Sequence, residues 1–228
     1  KFERAKNLSK ENRIIEDKAY QKIAENEQQI LDEYNKKYGK VVNADNFRSQ
    51  FSDVGYKGIN SEAVQEPVSY LSKKAFTDNL KNKEKYATFT SGMSGAGKST
   101  ALNNIENYKN IKSDSAVIFD SNLSNYESAK LKIDQAEKAG KTPEIFFVYR
   151  GLIDGFVNGI VKRMKENKEE MGRIVPNNIT AENAIGSFEV AKRLYQEGYD
   201  VKFIDNSLGK GKAREISLKE LESKVKFP

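Results

Sequence analysis

Eight consecutive residues, Gly92-Met93-Ser94-Gly95-Ala96-Gly97-Lys98-Ser99, carry the spacing GxxxxGK[ST]. Glycines at these intervals let backbone N–H groups crowd around phosphate oxygens, and the start of a following helix adds partial positive charge. Lys98 then reaches the β- and γ-phosphates of a nucleoside triphosphate, and the Ser99 hydroxyl is offered to Mg²⁺. Thr100 completes the expected nucleotide-binding set with Gly92 to Ser99. The competing reading is a glycine-rich structural turn; the neighbours argue against it. Tyr86 to Thr90 is a β-branched and aromatic run, whereas Thr100, Ala101, Leu102 and Ile105 keep helical spacing, so the glycines sit where a strand passes into a helix.

The chain has no Cys and no His. Thiol catalysis, imidazole bases and the usual transition-metal sites are thereby excluded, and proton transfer falls to Asp, Glu, Lys or Tyr. Two carboxylates stand out because each ends a short apolar run: Asp45 after Val41-Val42-Asn43-Ala44, and Asp120 after Ser115-Ala116-Val117-Ile118-Phe119. Carboxylates at the C-terminal ends of parallel strands face the ligand crevice. Asp120 also lies about 20 residues beyond the loop, where enzymes with this loop place a Mg²⁺-coordinating or base carboxylate. Asp45 also reads as the N-cap of the segment after it, and the two roles can coexist. Arg150 stands at the tip of an apolar strand, while Arg163 and Arg173 flank a charged segment. A guanidinium stays charged and forks onto phosphate oxygens, so Arg163 and Arg173 are candidate γ-phosphate clamps, against a bland reading as surface arginines.

The elements that must position these residues are legible in outline. Apolar runs near 41, 86, 116, 144 and 200 alternate with amphipathic stretches, which predicts an α/β fold: a doubly wound, mostly parallel five-stranded sheet with helices on both faces. The predicted helices run from Ser9 to about Lys37, through Val68 to Leu80, after the glycine loop, from Ser124 or Asn125 to Gly140, from Leu152 to Met164, from Thr180 to Gly198, and from Lys212 to Lys226. Gly55 to Asn60 reads as a loop and Lys165 to Glu170 as an exposed charged segment. The expected organisation is an N-terminal amphipathic segment, 1–38, ahead of a nucleotide-binding domain, 39–228. The first helix packs on the core or docks a partner.

With 37% hydrophobic and 32% charged residues, the 228-residue chain is expected to be soluble, with one sizeable core and no membrane span. Its net charge of +6 comes from lysines interleaved with acids, so no dedicated nucleic-acid surface is expected. Beginning at Lys1, it is expected to be one domain of a larger polypeptide.

Taken in order, Phe119-Asp120-Ser121-Asn122-Leu123-Ser124, Val148-Tyr149-Arg150, Arg163, Gly172-Arg173-Ile174-Val175-Pro176 and Ile204-Asp205-Asn206-Ser207 resemble the zeta-toxin family of P-loop kinases. The resemblance covers most of residues 41 to 207. It implies a P-loop kinase fold and transfer of the ATP γ-phosphate, with Mg²⁺, to a sugar hydroxyl of a nucleotide sugar such as UDP-N-acetylglucosamine. It further implies action in the cytoplasm, delivery into another cell being compatible with it, and an antitoxin or immunity partner. Asp45 becomes the general base and a metal-shell residue. Asp120 and Asn122 face the acceptor sugar or the metal, Asn43 and Arg150 join the substrate-binding set, and Lys98, Arg163 and Arg173 clamp the transferring phosphoryl group. Asn206 is placed near the adenine.

Two features depart from that family. The strand and helix resembling its acid-bearing pair, Val41 to Asp45 with Phe47 and Arg48 and on through Leu80, precede the glycine loop here instead of following it, as in a circular permutation. Where the family has Glu-Gly-Thr, this chain has Asp120-Ser121-Asn122, and its substrate-contacting helix carboxylate has no counterpart in Ser72-Lys73-Lys74, with Glu62 and Glu66 only nearby. Two other functions fit the same residues: a nucleotide-binding regulatory module without transfer activity, and a P-loop kinase acting on nucleosides or nucleic-acid ends.

Overall fold

A computed structural model describes residues 2–161 and 177–225. They fall into two compact units, one formed by residues 2–79 and the other by 80–161 with 177–225. Arg163, Arg173 and the charged segment between them lie outside the described residues.

The first unit is built on α1 (Lys10–Tyr38), whose start is capped by the Ser9 hydroxyl accepting from the Asn12 N–H at 3.1 Å. Ala19, Ile23, Ile30, Leu31 and Tyr34 form its buried face. Glu16 is also fully buried, accepting from the Ala5 N–H at 2.7 Å and paired with Arg4 and Arg13. After α1 comes β1 (Val41–Val42), two residues instead of the five that the sequence predicts. From Ala44 to Val54 the chain coils into a 3₁₀ helix, and a second one from Gly58 to Val64 replaces the predicted loop. The first is capped by Asn43, whose Oδ1 accepts from the Asp45 N–H at 2.9 Å; Asp45 itself is not the cap. The unit ends with α2 (Gln65–Asn79).

The second unit is an α/β layer structure. Its strands, β2 (Tyr86–Ser91), β3 (Ser115–Asp120), β4 (Thr142–Tyr149), β5 (Val201–Asp205) and β6 (Arg214–Ile216), lie in the order β3-β2-β4-β5-β6. All pairings are parallel except β5 with β6. Successive strand residues point to opposite faces. Because β2 to β5 are buried almost without interruption, both faces must be covered. Neighbouring phenylalanines of β4 show how: Phe146 meets Tyr108 edge-on at 5.1 Å, while Phe147 meets Phe188 at 6.1 Å. Tyr108 lies in α4 (Glu106–Ser113) and Phe188 in α7 (Asn177–Gln196), so these helices cover opposite faces.

Three elements of the second unit differ from the sequence-based expectation. The helix after the glycine loop is broken: α3 spans Lys98–Leu102, and α4 resumes only at Glu106. Between them Asn104 turns its side-chain amide onto the Thr100 carbonyl at 2.8 Å, a local bond that competes with helix continuation. The next helix, α5 (Tyr126–Lys138), is capped by Asn125, one of the two expected caps. The predicted helix from Leu152 to Met164 is a single α-turn, α6 (Leu152–Asp154), that widens into a π-helical segment over Gly155–Val161. The predicted terminal helix is instead β6 followed by α8 (Leu218–Lys224), capped by Ser217.

Candidate functional site

Between β2 and α3 the glycine loop runs along the C-terminal edge of the sheet, and most of its carbonyl oxygens are occupied. Gly92 O accepts from Lys98 Nζ at 3.3 Å, Met93 O from the Ala96 N–H at 3.1 Å, and Gly95 O from an Arg150 guanidinium N–H at 3.2 Å. Ala96 O accepts from Asn206 Nδ2 at 2.7 Å and Gly97 O from the Ala101 N–H at 2.9 Å. In contrast, the N–H groups of Ser94, Gly95, Gly97, Lys98 and Ser99 donate to no other described residue. A backbone with most acceptors bound to protein and a run of donors that are not can meet an anion. The backbone geometry requires the glycines. Gly97 has φ +73°, and a Cβ there would lie 2.9 Å from Asn206 Nδ2. Gly95 has φ +84°, and a Cβ there would collide with the Gly155 carbonyl oxygen.

Lys98 lies back across its own loop. Besides Gly92 O, its ammonium stands 3.6 Å from Asp120 Oδ1, both side chains being mostly buried. Asp120 ends β3, the strand paired directly with β2, and the Thr90 hydroxyl donates to the same oxygen at 2.6 Å. The field of Asp120 reaches the core: the phenol of Tyr108 is pushed up to about 12, by burial first and by this carboxylate second. Tyr108 is therefore neutral at physiological pH and unsuited to act as a base. Ser99 and Thr100 are exposed at the start of α3. The Ser99 hydroxyl and the Asp120 carboxylate are hard oxygen donors, which suits Mg²⁺, an ion that takes one or two protein carboxylates and completes its shell with phosphate and water. Among the described residues no cluster of three or more acidic ligands exists, and a site of this kind needs none.

The loop following β3 is fixed to the glycine loop through one atom. Asn122 O accepts from Ser91 Oγ at 2.9 Å, from the Gly92 N–H at 3.4 Å and from Ser187 Oγ of α7 at 2.7 Å. Leu123 takes φ +48°, rare for a branched residue, with its N–H held by Ser121 Oγ at 3.1 Å. Such strain persists only where the surroundings enforce it. On the other side, Arg150 pairs with Asp154 while holding Gly95 O, and Asn158 Nδ2 donates to the same carboxylate at 2.6 Å. The Arg150 guanidinium, then the Asn158 amide, hold the Asp154 carboxyl below its usual range. Gly159 completes this contact, since a Cβ on it would fall 2.6 Å from Gly95 Cα.

Of the residues predicted from sequence, the second unit brings together Gly92 to Thr100, Asp120, Asn122, Arg150 and Asn206. Asn43 and Asp45 belong to the first unit, where the Asp45 carboxylate accepts from Arg48 Nε at 3.0 Å; the same guanidinium also donates to Ser61 O and to Gln65 Oε1, each at 2.6 Å. Asp154, Ser187, Thr90 and the pair Gly155 and Gly159 were not singled out by sequence reasoning. For the glycines a signal existed: Gly155 and Gly159 stand four residues apart inside an apparent helix, where each is worse than alanine by about 1 kcal/mol. The chain matches no family model and no curated protein.

Proposed function

We propose that the chain is an ATP- and Mg²⁺-dependent small-molecule kinase of the zeta-toxin type, acting on a hydroxyl of a nucleotide sugar such as UDP-N-acetylglucosamine. The observation that carries the reading is the glycine loop, most of whose carbonyls accept from protein while the N–H groups of Ser94, Gly95, Gly97, Lys98 and Ser99 donate to no other described residue, beside a mostly buried Lys98–Asp120 pair at 3.6 Å. The likeness of the segments around Asp120, Arg150 and Asn206 to the zeta toxins supports the acceptor class.

In this reading the loop N–H groups and Lys98 bind the β- and γ-phosphates and neutralise the charge that spreads over the transferring group. Lys98 exchanges its long contact with Asp120 for phosphate oxygen, and Arg163 and Arg173 add charge to the clamp. Ser99 and Asp120 would hold Mg²⁺, which supplies neutralisation between the phosphate oxygens. The acceptor hydroxyl oxygen bonds to the γ-phosphorus as the bond to the bridging oxygen breaks. ADP leaves, and the hydroxyl proton passes to a carboxylate. The resemblance assigns that proton to Asp45.

Mass spectrometry of a mixed UDP-sugar and nucleoside pool incubated with ATP and Mg²⁺ tests the proposal. A one-phosphate mass gain on a UDP-sugar, lost in Lys98→Ala, is expected. A gain on nucleosides alone would reassign the acceptor, and ATP binding without transfer to any acceptor would make the chain a regulatory module. If Asp45→Ala keeps full activity while Asp120→Ala loses it, the base is Asp120.

A further inference from the structure

The sequence resemblance places Asn206 near the adenine, but its side chain is committed elsewhere. It follows the buried end of β5, is 8% exposed, and its backbone N–H is held by Tyr149 O at 2.9 Å. From that fixed point Nδ2 donates to Ala96 O at 2.7 Å and stands 2.9 Å from where a Cβ on Gly97 would be. Arg150, at the end of the adjacent strand β4, donates to the preceding carbonyl, Gly95 O, at 3.2 Å.

Successive peptide groups of the phosphate loop are thus gripped by two side chains from neighbouring strands. Turning a carbonyl outward in this conformation turns the following N–H the other way, because the peptide unit is planar. Fixing Gly95 O therefore fixes the Ala96 N–H, and fixing Ala96 O fixes the Gly97 N–H, one of the donors without a partner among the described residues.

We infer that Asn206 is a positioning residue of the phosphate loop, acting through the Ala96 carbonyl to hold the Gly97 N–H toward bound polyphosphate, and that it serves all nucleoside triphosphates alike instead of selecting adenine. The inference rests on the nucleotide-binding reading above. A buried carbonyl deprived of its donor would let the loop sample other conformations, and the lost alignment falls on the phosphates and not on the base.

The discriminating probe is inorganic tripolyphosphate, which has no base. Calorimetric titration of wild type and Asn206→Leu with tripolyphosphate, ATP and GTP, each with Mg²⁺, is expected to show the same loss for all three, about tenfold. The thermal midpoint of each unliganded protein, measured alongside, separates this from a stability defect, which would leave affinity intact below the transition. A loss confined to ATP would overturn the inference in favour of a base contact, as would unchanged affinity for all three ligands in a folded variant. Should Asn206→Leu not fold, the side-chain amide resonance of Asn206 in wild type decides. Its displacement by tripolyphosphate supports the positioning role, and its displacement by adenosine alone overturns it. Wild type that binds neither tripolyphosphate nor nucleotide would overturn both the inference and the function on which it rests.

Discussion

In the proposed function Lys98 is the residue on which phosphate affinity turns, and its present contacts are weak. At 3.3 Å from Gly92 O and 3.6 Å from Asp120, its ammonium contributes little to the fold. Lys98→Ala is expected to leave the thermal midpoint nearly unchanged and to weaken ATP binding roughly tenfold to a hundredfold, the worth of a charge-assisted bond; calorimetric titration checks both halves. Asp205 is the opposite case. Burial raises its pKa, but the hydroxyl and N–H of Ser207 at 2.6 and 2.9 Å, with Lys224 at 3.2 Å, outweigh burial and hold it below the usual carboxylate range. A depressed folded-state pKa gives stability that is fully present above the unfolded value, about 4, and is lost as pH falls through the folded value. Denaturation midpoints between pH 5 and pH 2 should therefore fall less steeply in Asp205→Asn than in wild type. The difference between Lys98 and Asn206 shows what was legible in the sequence. Phosphate binding demands fixed residue types at fixed spacing, so the loop announces itself. The partner of Asn206 lies 110 residues away in sequence, and only the juxtaposition of two strand ends reveals it.

Among the elements, the buried strands were the most readable, because an apolar run bounded by turns leaves few alternatives: the observed β3 coincides with the run Ser115–Asp120. The segment after β4 was misread for a physical reason. Leu152, Phe156, Val157 and Ile160 give helical periodicity, but the glycines at 155 and 159 admit the loop backbone, and the chain there runs in π turns. β6 escaped notice because three residues of mixed polarity, Arg214-Glu215-Ile216, carry no periodicity. The π segment yields a paired prediction. In Gly159→Ala the added methyl runs into the Gly95 backbone at its Cα, carbonyl carbon and oxygen, so the segment must lift away, carrying Asp154 from Arg150. Faster amide exchange over residues 152–161 and weaker polyphosphate binding are expected together. Ile153→Ser, altering a side chain that is 80% exposed, should change stability by less than about 0.5 kcal/mol and leave exchange as it is. Equal exchange in the two variants would dissociate the segment from the loop.

At the scale of the whole molecule, each of the two units has its own core and its own buried polar centre. In the first, fully buried Glu16 ties residues Arg4 and Ala5 onto α1 and α1 onto itself through Arg13. In the second, the phosphate loop is held between strand ends and helices that belong to the same unit. Chains of more than one compact unit commonly depart from two-state unfolding, so calorimetry can report on the units separately. Glu16→Gln removes the charge from this buried centre. Since Arg4 and Arg13 are themselves 42% and 35% exposed and can rehydrate, the expected loss is about 1–3 kcal/mol, not the larger cost of stranding a buried ion. Under the proposed function, saturating nucleotide acts on the other unit. At a hundredfold excess over Kd it stabilises by about 2.7 kcal/mol, or roughly 5–10 °C in the transition that contains the loop. Scanning calorimetry of wild type and Glu16→Gln, with and without tripolyphosphate, should thus resolve a transition that responds to ligand and another that responds to the substitution. A single transition moving with both would mean that the two cores unfold as one, and a ligand shift absent from Glu16→Gln would mean that the first unit is required for the loop to bind.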